Sequence, residues 1–266
     1  MSEPTHFTGS IPENYDRFLG PHIFETHARD LASRIDRLRP RRVLELAAGT
    51  GIVSRLLRDT LAVDAHLVVT DLNPPMLEVA RTKFGDDESV SFQPADALDL
   101  PFDHDTFDAA VCQFGVMFFP NKRVAHSEVL RTLEPGGVYL FNTWSSWVDN
   151  PFARVAFELA ADLYPDDPPT FYEVPFDYHD PVEIQEALEA AGFVDVSVEA
   201  VAATAPLRSA ADFARGLVFG NPLIQEIEER GGDPAAIHRA MTKAVTQRLG
   251  SELALKALVA TARKPR

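Results

Sequence analysis

Cysteine is nearly absent. Cys112 stands alone among 266 residues, so an intrachain disulfide is impossible and a cysteine-rich zinc site cannot be built. Long apolar runs are missing too: the longest are strand-sized, far short of the ~20 residues that span a bilayer. Positive charge is in deficit, with Lys+Arg 25 against Asp+Glu 40 and a formal net charge of −15. A phosphate backbone and an anionic lipid surface both call for a basic face. A large nucleic-acid footprint or a membrane anchor is therefore not expected, although a local basic patch stays open. The 8 histidines include no H-x-x-x-H pair and no His-Glu motif, so no metal site is expected. The opening MSEPTHFTGS has no basic start and no apolar run. It is not expected to act as a signal peptide, and a reducing, cytoplasmic compartment is the expectation.

What is present is ordinary for a globular chain: 45% hydrophobic and 24% charged residues. No internal repeat or low-complexity tract interrupts it. The length suits one large α/β domain with insertions, or two small domains. The first strong helix signal is 21–38, where Phe24, Ala28, Leu31, Ile35 and Leu38 share a face. Pro21 suits its first turn and Pro40 ends the run. Strands are expected at 41–47, 66–71, 90–96, 107–115 and 138–144, with helices at 52–60, 74–84 and 121–133 between them. Pro135-Gly136-Gly137 stops the last of these helices. Nearly continuous apolar strands alternating with helices predict a parallel sheet covered on both faces.

The second half is less regular. A helix is expected near 151–163, and another begins at Asp180-Pro181 and stops at Gly192. The segment 193–201 alternates as a strand should. Three helices fall between 208 and 249, starting at Ser209, Asn221-Pro222 and Asp233-Pro234, and 255–263 closes the chain as a strand. Loops leaving the carboxyl ends of parallel strands share one face, where ligands bind. Segment 145–180 leaves the fifth strand there. Segment 202–250 does so too if the sixth strand is parallel, so both could roof one cleft together with the N-terminal helix.

The sharpest segment is Glu45-Leu46-Ala47-Ala48-Gly49-Thr50-Gly51, which runs from a strand through a glycine turn into a helix. Such a turn lets backbone approach a ligand and aims helix amides at it. A dinucleotide fingerprint would want a third glycine where Ser54 stands, and Glu45 would repel a pyrophosphate. A carboxylate there suits a ligand bearing an ammonium and a sulfonium. Asp71, at the end of the second strand, suits ribose hydroxyls in either reading.

The four segments Glu45–Gly51, Thr70-Asp71-Leu72-Asn73, Asp96-Ala97 and Leu133-Glu134-Pro135-Gly136-Gly137 agree in order and spacing with one family. Over about residues 10–144 the chain resembles the class I S-adenosylmethionine-dependent methyltransferases. The likeness is greatest to the small-molecule branch that includes the ubiquinone/menaquinone-biosynthesis enzymes, and Tyr15-Asp16 fits that branch. The resemblance implies a Rossmann-like α/β fold: a seven-stranded, mostly parallel sheet with an antiparallel last strand and helical lid insertions. It implies S-adenosyl-L-methionine as cofactor and a small-molecule acceptor as partner. Glu45, Ala47, Gly49 and Gly51 would line the methionine end. Asp71 would take both ribose hydroxyls, with Leu72 and Met76 against the adenine. Asp96 would accept from the adenine amino group, with Ala97 and Leu98 beside the ring. Gln113 and Phe114 would border the methyl group, and Tyr15 would close over the methionine carboxylate. In these terms 1–40 is a helical arm and 41–144 the cofactor-binding half. Segment 145–180 is a lid, and 181–266 completes the sheet with a helical insertion over 202–250.

Departures narrow the branch. Asn73-Pro74-Pro75-Met76 follows the second strand, whereas amino-methylating nucleic-acid enzymes need such a motif after the fourth, where Gln113-Phe114-Gly115 stands. Asn73-Pro74 therefore reads as a helix start. Cys112 lacks the Pro-Cys context of cytosine methylation and reads as core. No acidic cluster follows the fourth strand, so a metal-dependent catechol type is not expected.

Each candidate also has a structural reading. Glu45 could cap the next helix, Asp71 could serve a turn, Asp96 is crowded by Asp99 and Asp103, and Tyr15 could be a surface-helix residue. His6, His22, His27 and His126 are expected to be solvated rather than in a cleft, and Asp162, Asp166 and Asp167 to lie on a solvated loop. Phe118, Phe119, Trp144, Trp147 and Phe152 could form an acceptor pocket with Phe157, Phe171, Tyr172, Phe176 and Phe213, or a seam that glues helices to the sheet. No catalytic base can be named, and the methylated atom and the oligomeric state stay open. A catalytically silent cofactor-binding module and a nicotinamide-dependent oxidoreductase remain the alternatives.

Overall fold

The apolar strands read from the sequence pair side by side in a computed structural model, which describes residues 6–86 and 88–266. Residues 1–5, half of the stretch considered above as a signal peptide, lie outside the described residues. The elements in chain order are α1 (Ile11–Asn14), a π-helix (Tyr15–Phe24), α2 (Glu25–Leu38), β1 (Arg42–Leu46), α3 (Ile52–Thr60), β2 (His66–Asp71), α4 (Pro74–Arg81), β3 (Val90–Pro94), β4 (Phe107–Gln113), α5 (Lys122–Thr132) and β5 (Leu133–Trp144). The second half adds α6 (Pro151–Leu163), α7 (Val174–Asp177), α8 (Pro181–Ala191), β6 (Val194–Pro206), α9 (Ala210–Phe219), α10 (Leu223–Glu229), α11 (Pro234–Arg248) and β7 (Glu252–Arg263).

The seven strands form one sheet in the order β3-β2-β1-β4-β5-β7-β6. The first five are parallel, and β7 runs antiparallel between β5 and β6. Strand β6 therefore points the same way as β1–β5, which was the condition for the 202–250 segment to leave on the ligand face. Strand order reverses between β1 and β4, and that switch point is where an open α/β sheet opens a crevice.

Successive side chains of a strand face opposite ways, and the buried sets divide accordingly. Val43, Leu67, Val69, Ala109 and Val111 pack against Ala28, Leu31, Ala32 and Ile35 of α2 and Val53 and Leu57 of α3. Leu44, Leu46, Ala110, Cys112, Tyr139 and Phe141 join the larger core on the other face. Caps follow the sequence: Asp180 accepts from Val182 N–H, Ser209 from Asp212 N–H and Asp233 from Ala235 N–H.

Several boundaries differ from expectation. The first helix does not start at Pro21: the chain is helical from Ile11, and Pro21 sits inside the ten-residue π-helix. Proline has no N–H and crowds the carbonyl four residues back, so a tight α-turn is disfavoured there and the wider winding relieves it. Leu38, expected on the buried face, is exposed at the end of α2. Helix α4 stops at Arg81, and residues 82–84 turn. Extended backbone begins at Leu133, before Pro135-Gly136-Gly137, and the pairing with β4 jumps from Phe107↔Leu133 to Ala109↔Val138. Strands β6 and β7 pair as far as Pro206↔Glu252, because the long antiparallel pairing extends both beyond their apolar centres.

Candidate functional site

The turn after β1 borders the crevice. Ala47, Gly49 and Gly51 all have positive φ, at 48°, 57° and 81°. Ala47 is not a glycine, so this backbone is held in a strained well by its surroundings. The Ala48 N–H donates to Thr70 O at 2.9 Å, and the Gly49 N–H donates to Asp71 Oδ2 at 2.8 Å. Asp71 Oδ1 accepts from the Asn73 N–H at 2.8 Å and from Asn73 Nδ2 at 3.4 Å. The carboxylate at the tip of β2 thus pins both turns that flank it. Burial pushes its pKa up, and the amides of Asn73 and Gly49 pull it back.

A cavity opens beside these turns, lined by both apolar and polar groups. Ala47, Gly49, Asp71, Leu72 and Met76 line it from β1, β2 and α4. Asp96, Ala97 and Leu98 line it after β3, Gln113 and Phe114 after β4, and Tyr15 from the π-helix. The topology brings these eleven sequence candidates to one place. Asp96 Oδ1 accepts from the Leu98 N–H at 2.9 Å, leaving its other oxygen free. Gln113 donates through Nε2 to Phe24 O at 3.4 Å, while its buried Oε1 has no partner. No lysine or arginine borders this cavity among the described residues, whereas Asp71 and Asp96 do.

Two candidates fall outside the lining. Glu45 is 1% exposed behind the turn. Burial raises its pKa from 4.5 to about 8; the Ser54 hydroxyl and amide oppose the rise and Asp71 adds to it. Glu45 Oε2 still lacks a hydrogen-bond partner. Gly51 is the N-cap of α3; a Cβ there would lie 2.8 Å from Ala80 Cβ. The observed demand for glycine at that position is packing against α4 combined with a left-handed φ.

A second cavity of about 480 Å³ lies under the inserted helices. Tyr15, Phe114 and Phe118 border both cavities. Phe114 has φ 48°; its N–H donates to Asn142 Oδ1 at 3.0 Å, and its ring stacks on Trp144 at 3.8 Å and 8°. Tyr15 stacks on Phe24 at 4.8 Å, and Phe7 meets Tyr15 edge-on at 6.0 Å. Burial, then Asp71 and Asp16, push the Tyr15 hydroxyl well above its ordinary pKa, so it stays protonated.

The aromatic residues divide. Phe118, Trp144, Phe152, Phe171, Tyr172 and Phe176 line the second cavity, while Phe119 borders the first. Trp147 packs on Phe157 at 4.5 Å, and Phe213 is fully buried. The histidine expectation is corrected. His22, His27 and His126 are buried, not solvated, because their helices turn those faces to the core. The carbonyl of His6 accepts from Gln225 Nε2 at 3.2 Å. Sequence reasoning missed Asn73, Ala95, Gly115 and Pro120 in the first cavity. Asn142, which holds Phe114 in place, was missed as well, and only its place in a strand paired with β4 signals it.

Comparison with known proteins bears on the same stretch. Residues 44–141 match a family described as a methyltransferase domain. A demethylmenaquinone methyltransferase from Clavibacter sepedonicus is 47% identical over 118 residues, 44% of this chain and 46% of that protein. A ubiquinone/menaquinone biosynthesis C-methyltransferase UbiE from Methylococcus capsulatus is 36% identical over 121 residues, 44% and 48% of the two chains. The chain spans about half the length of these curated relatives. Among solved structures, Bacillus YcgJ superposes with TM-score 0.59 at 18% identity, covering 91% of this chain and 99% of that one. A Haemonchus contortus phosphoethanolamine N-methyltransferase 2, in complex with S-adenosyl-L-methionine, gives TM-score 0.63 at 17% identity, covering 98% and 58%. These likenesses carry the Rossmann-like fold.

Proposed function

We propose that this chain, whose residues 44–141 match a methyltransferase-domain family, transfers a methyl group from S-adenosylmethionine to a small organic acceptor. One observation carries the reading: a carboxylate-bearing cavity at the strand tips adjoins an apolar cavity under the helical inserts, and Tyr15, Phe114 and Phe118 stand between them.

The residues present fit the cofactor. The free acceptor atoms are Gln113 Oε1, behind the turn Glu45 Oε2, and the remaining lone pairs of Asp71 and Asp96. They suit ammonium, hydroxyl and amino donors. A diphosphate would meet Asp71 and Asp96 without a cation, which disfavours the nicotinamide alternative. An apolar cavity beside the site offers a place for an acceptor, which a silent binding module would not need. In this reading Asp71 holds ribose hydroxyls, Leu72 and Met76 face the adenine with Ala97 and Leu98, and Asp96 accepts from its amino group. The turn at Ala47 and Gly49 takes the methionine end, with Glu45 acting from behind it.

When bound, the cofactor supplies a methyl group on a positively charged sulfur. The chain's part is alignment and exclusion of water. Phe114, fixed by Asn142 and Trp144, stands where the two cavities meet. The Tyr15 hydroxyl stays protonated and does not act as a base. No carboxylate or imidazole lines the apolar cavity among the described residues, so the acceptor brings a nucleophile that needs no base from that cavity.

Calorimetry and thermal melting with S-adenosylhomocysteine, set against NAD(P)H, test the reading. S-adenosylhomocysteine should bind and stabilise. Asp71→Ala should weaken its binding by roughly 1–3 kcal/mol by leaving hydroxyls and amides unpaired. Stabilisation by NAD(P)H alone would overturn the proposal.

A further inference from the structure

Of the motif Tyr15-Asp16, the methyl-donor reading uses only the tyrosine. Asp16 lines neither cavity, yet it follows Tyr15 in the π-helix Tyr15–Phe24, and Tyr15 borders both cavities. The Asp16 carboxylate pairs with Lys83 Nζ across 67 positions. Lys83 stands just past Arg81, the last residue of α4, and α4 supplies Met76 to the carboxylate-bearing cavity. Among the described residues this is the one ion pair that joins the π-helix to the rest of the chain.

The two ends of the pair are held differently. The Lys83 N–H donates to Ala80 O at 3.1 Å, and Lys83 O accepts from Arg55 Nη1 at 3.2 Å. Arg55 also donates to Glu88 Oε1 at 2.9 Å and to Asp59 Oδ1 at 2.7 Å. The lysine's turn is thus braced from α3. Tyr15 leans instead on Phe24 of its own helix at 4.8 Å and on Phe7 at 6.0 Å, both in the N-terminal arm. Outside the arm its backbone meets Gly220, where a Cβ would lie 3.1 Å from Tyr15 Cα. Such contact sets spacing but not the rotation of the helix about its axis, and that rotation decides where Tyr15 points. Neither charge has a second ionic partner in the surface groove around it. Glu25 pairs there with Arg29, and Arg55 with Asp59 and Glu88. Lys83 and Asp16 are 22% and 29% exposed, so solvent screens the pair only in part.

We propose that Asp16 and Lys83 are positioning residues: their ion pair anchors the π-helix to the braced turn after α4 and so holds Tyr15 at the cofactor cavity before ligand arrives. The proposal rests on the methyl-transfer reading in taking that cavity as the cofactor's. Without the pair, ligand binding has to order the helix itself, and affinity falls by that cost.

The test titrates S-adenosylhomocysteine calorimetrically into the full chain as wild type, Asp16→Asn, Lys83→Met and the reversed pair Asp16→Lys with Lys83→Asp. Each single change should weaken binding by about three- to fivefold, the worth of a partly exposed ion pair, with a melting temperature near that of wild type. The reversed pair should regain most of the loss. In a Tyr15→Ala background the same single changes should cost almost nothing further, because the pair acts through that ring. Wild-type affinity in both single variants overturns the proposal, as does a reversed pair no better than the singles, or a full loss that persists without Tyr15. If one single variant does not fold, the other decides; if Tyr15→Ala does not fold, the singles and the reversed pair decide. Failure of wild type to bind S-adenosylhomocysteine overturns the methyl-transfer reading and the positioning role with it. Unchanged affinity in variants of a wild type that does bind overturns only the positioning role.

Discussion

Replacing Glu45 by glutamine should make the protein more stable, and increasingly so as pH rises. In the folded chain burial lifts this carboxyl from 4.5 to about 8, and Asp71 adds repulsion. The folded state thus holds a proton that the unfolded chain releases. The group's contribution is intact below about pH 4.5 and is lost as pH climbs to about 8, after which it is flat. At ~1.36 kcal/mol per pH unit, the wild type should lose on the order of 3 kcal/mol between about pH 6 and 9 through this group alone. Glu45→Gln keeps the shape and removes the ionisation, so the difference between the two proteins isolates the effect from other titrating groups. Urea unfolding of both proteins at several pH values measures it. The stability curves should diverge with rising pH and run parallel above about pH 8–9. Curves that stay parallel from pH 6 upward would refute the reasoning. The same substitution should weaken S-adenosylhomocysteine binding, because an ammonium near the turn would draw Glu45 into its charged form. Wild type should release close to one proton on binding near pH 7 and the variant almost none, which calorimetry in buffers of different ionisation enthalpy reads directly.

Further expectations follow from packing. Gly51→Ala would force a left-handed φ of 81° on alanine and set its Cβ 2.8 Å from Ala80 Cβ, so a loss of roughly 1–3 kcal/mol is expected in urea unfolding; a neutral result would contradict the contact. Trp144→Ala removes the ring stacked on Phe114 at 3.8 Å. It should lower stability by about 3–5 kcal/mol, visible as a drop in melting temperature. Arg58→Met strips the guanidinium that bonds Leu61 O, Ala62 O and Ala65 O after α3. A loss of about 1–3 kcal/mol is expected, with little change in the affinity for S-adenosylhomocysteine.

The sequence by itself determined the elements and the crevice. Runs such as Leu67–Val69 and Ala109–Cys112 are apolar on both sides, as strands of a covered parallel sheet are, and Asp180-Pro181, Ser209 and Asp233-Pro234 declare helix starts within a few residues. Such signals are local, so they survive without knowledge of the rest of the chain. Parallel pairing followed from alternation, and with it the gathering of Ala47, Asp71, Asp96 and Gln113, since residues at the carboxyl ends of parallel strands share one edge of the sheet. What only the tertiary structure decided depended on partners remote in the chain. Gly51 resembles a ligand-facing glycine until Ala80 is seen against it. His27 and His126 could be solvated until their helices are docked, and Pro21 could open a helix until ten residues before it prove helical as well. Beside the apolar cavity, Asn221 donates to Tyr172 across 49 positions. No local pattern encodes such a pair, because it forms only when packing removes water from both groups and leaves each as the other's available partner.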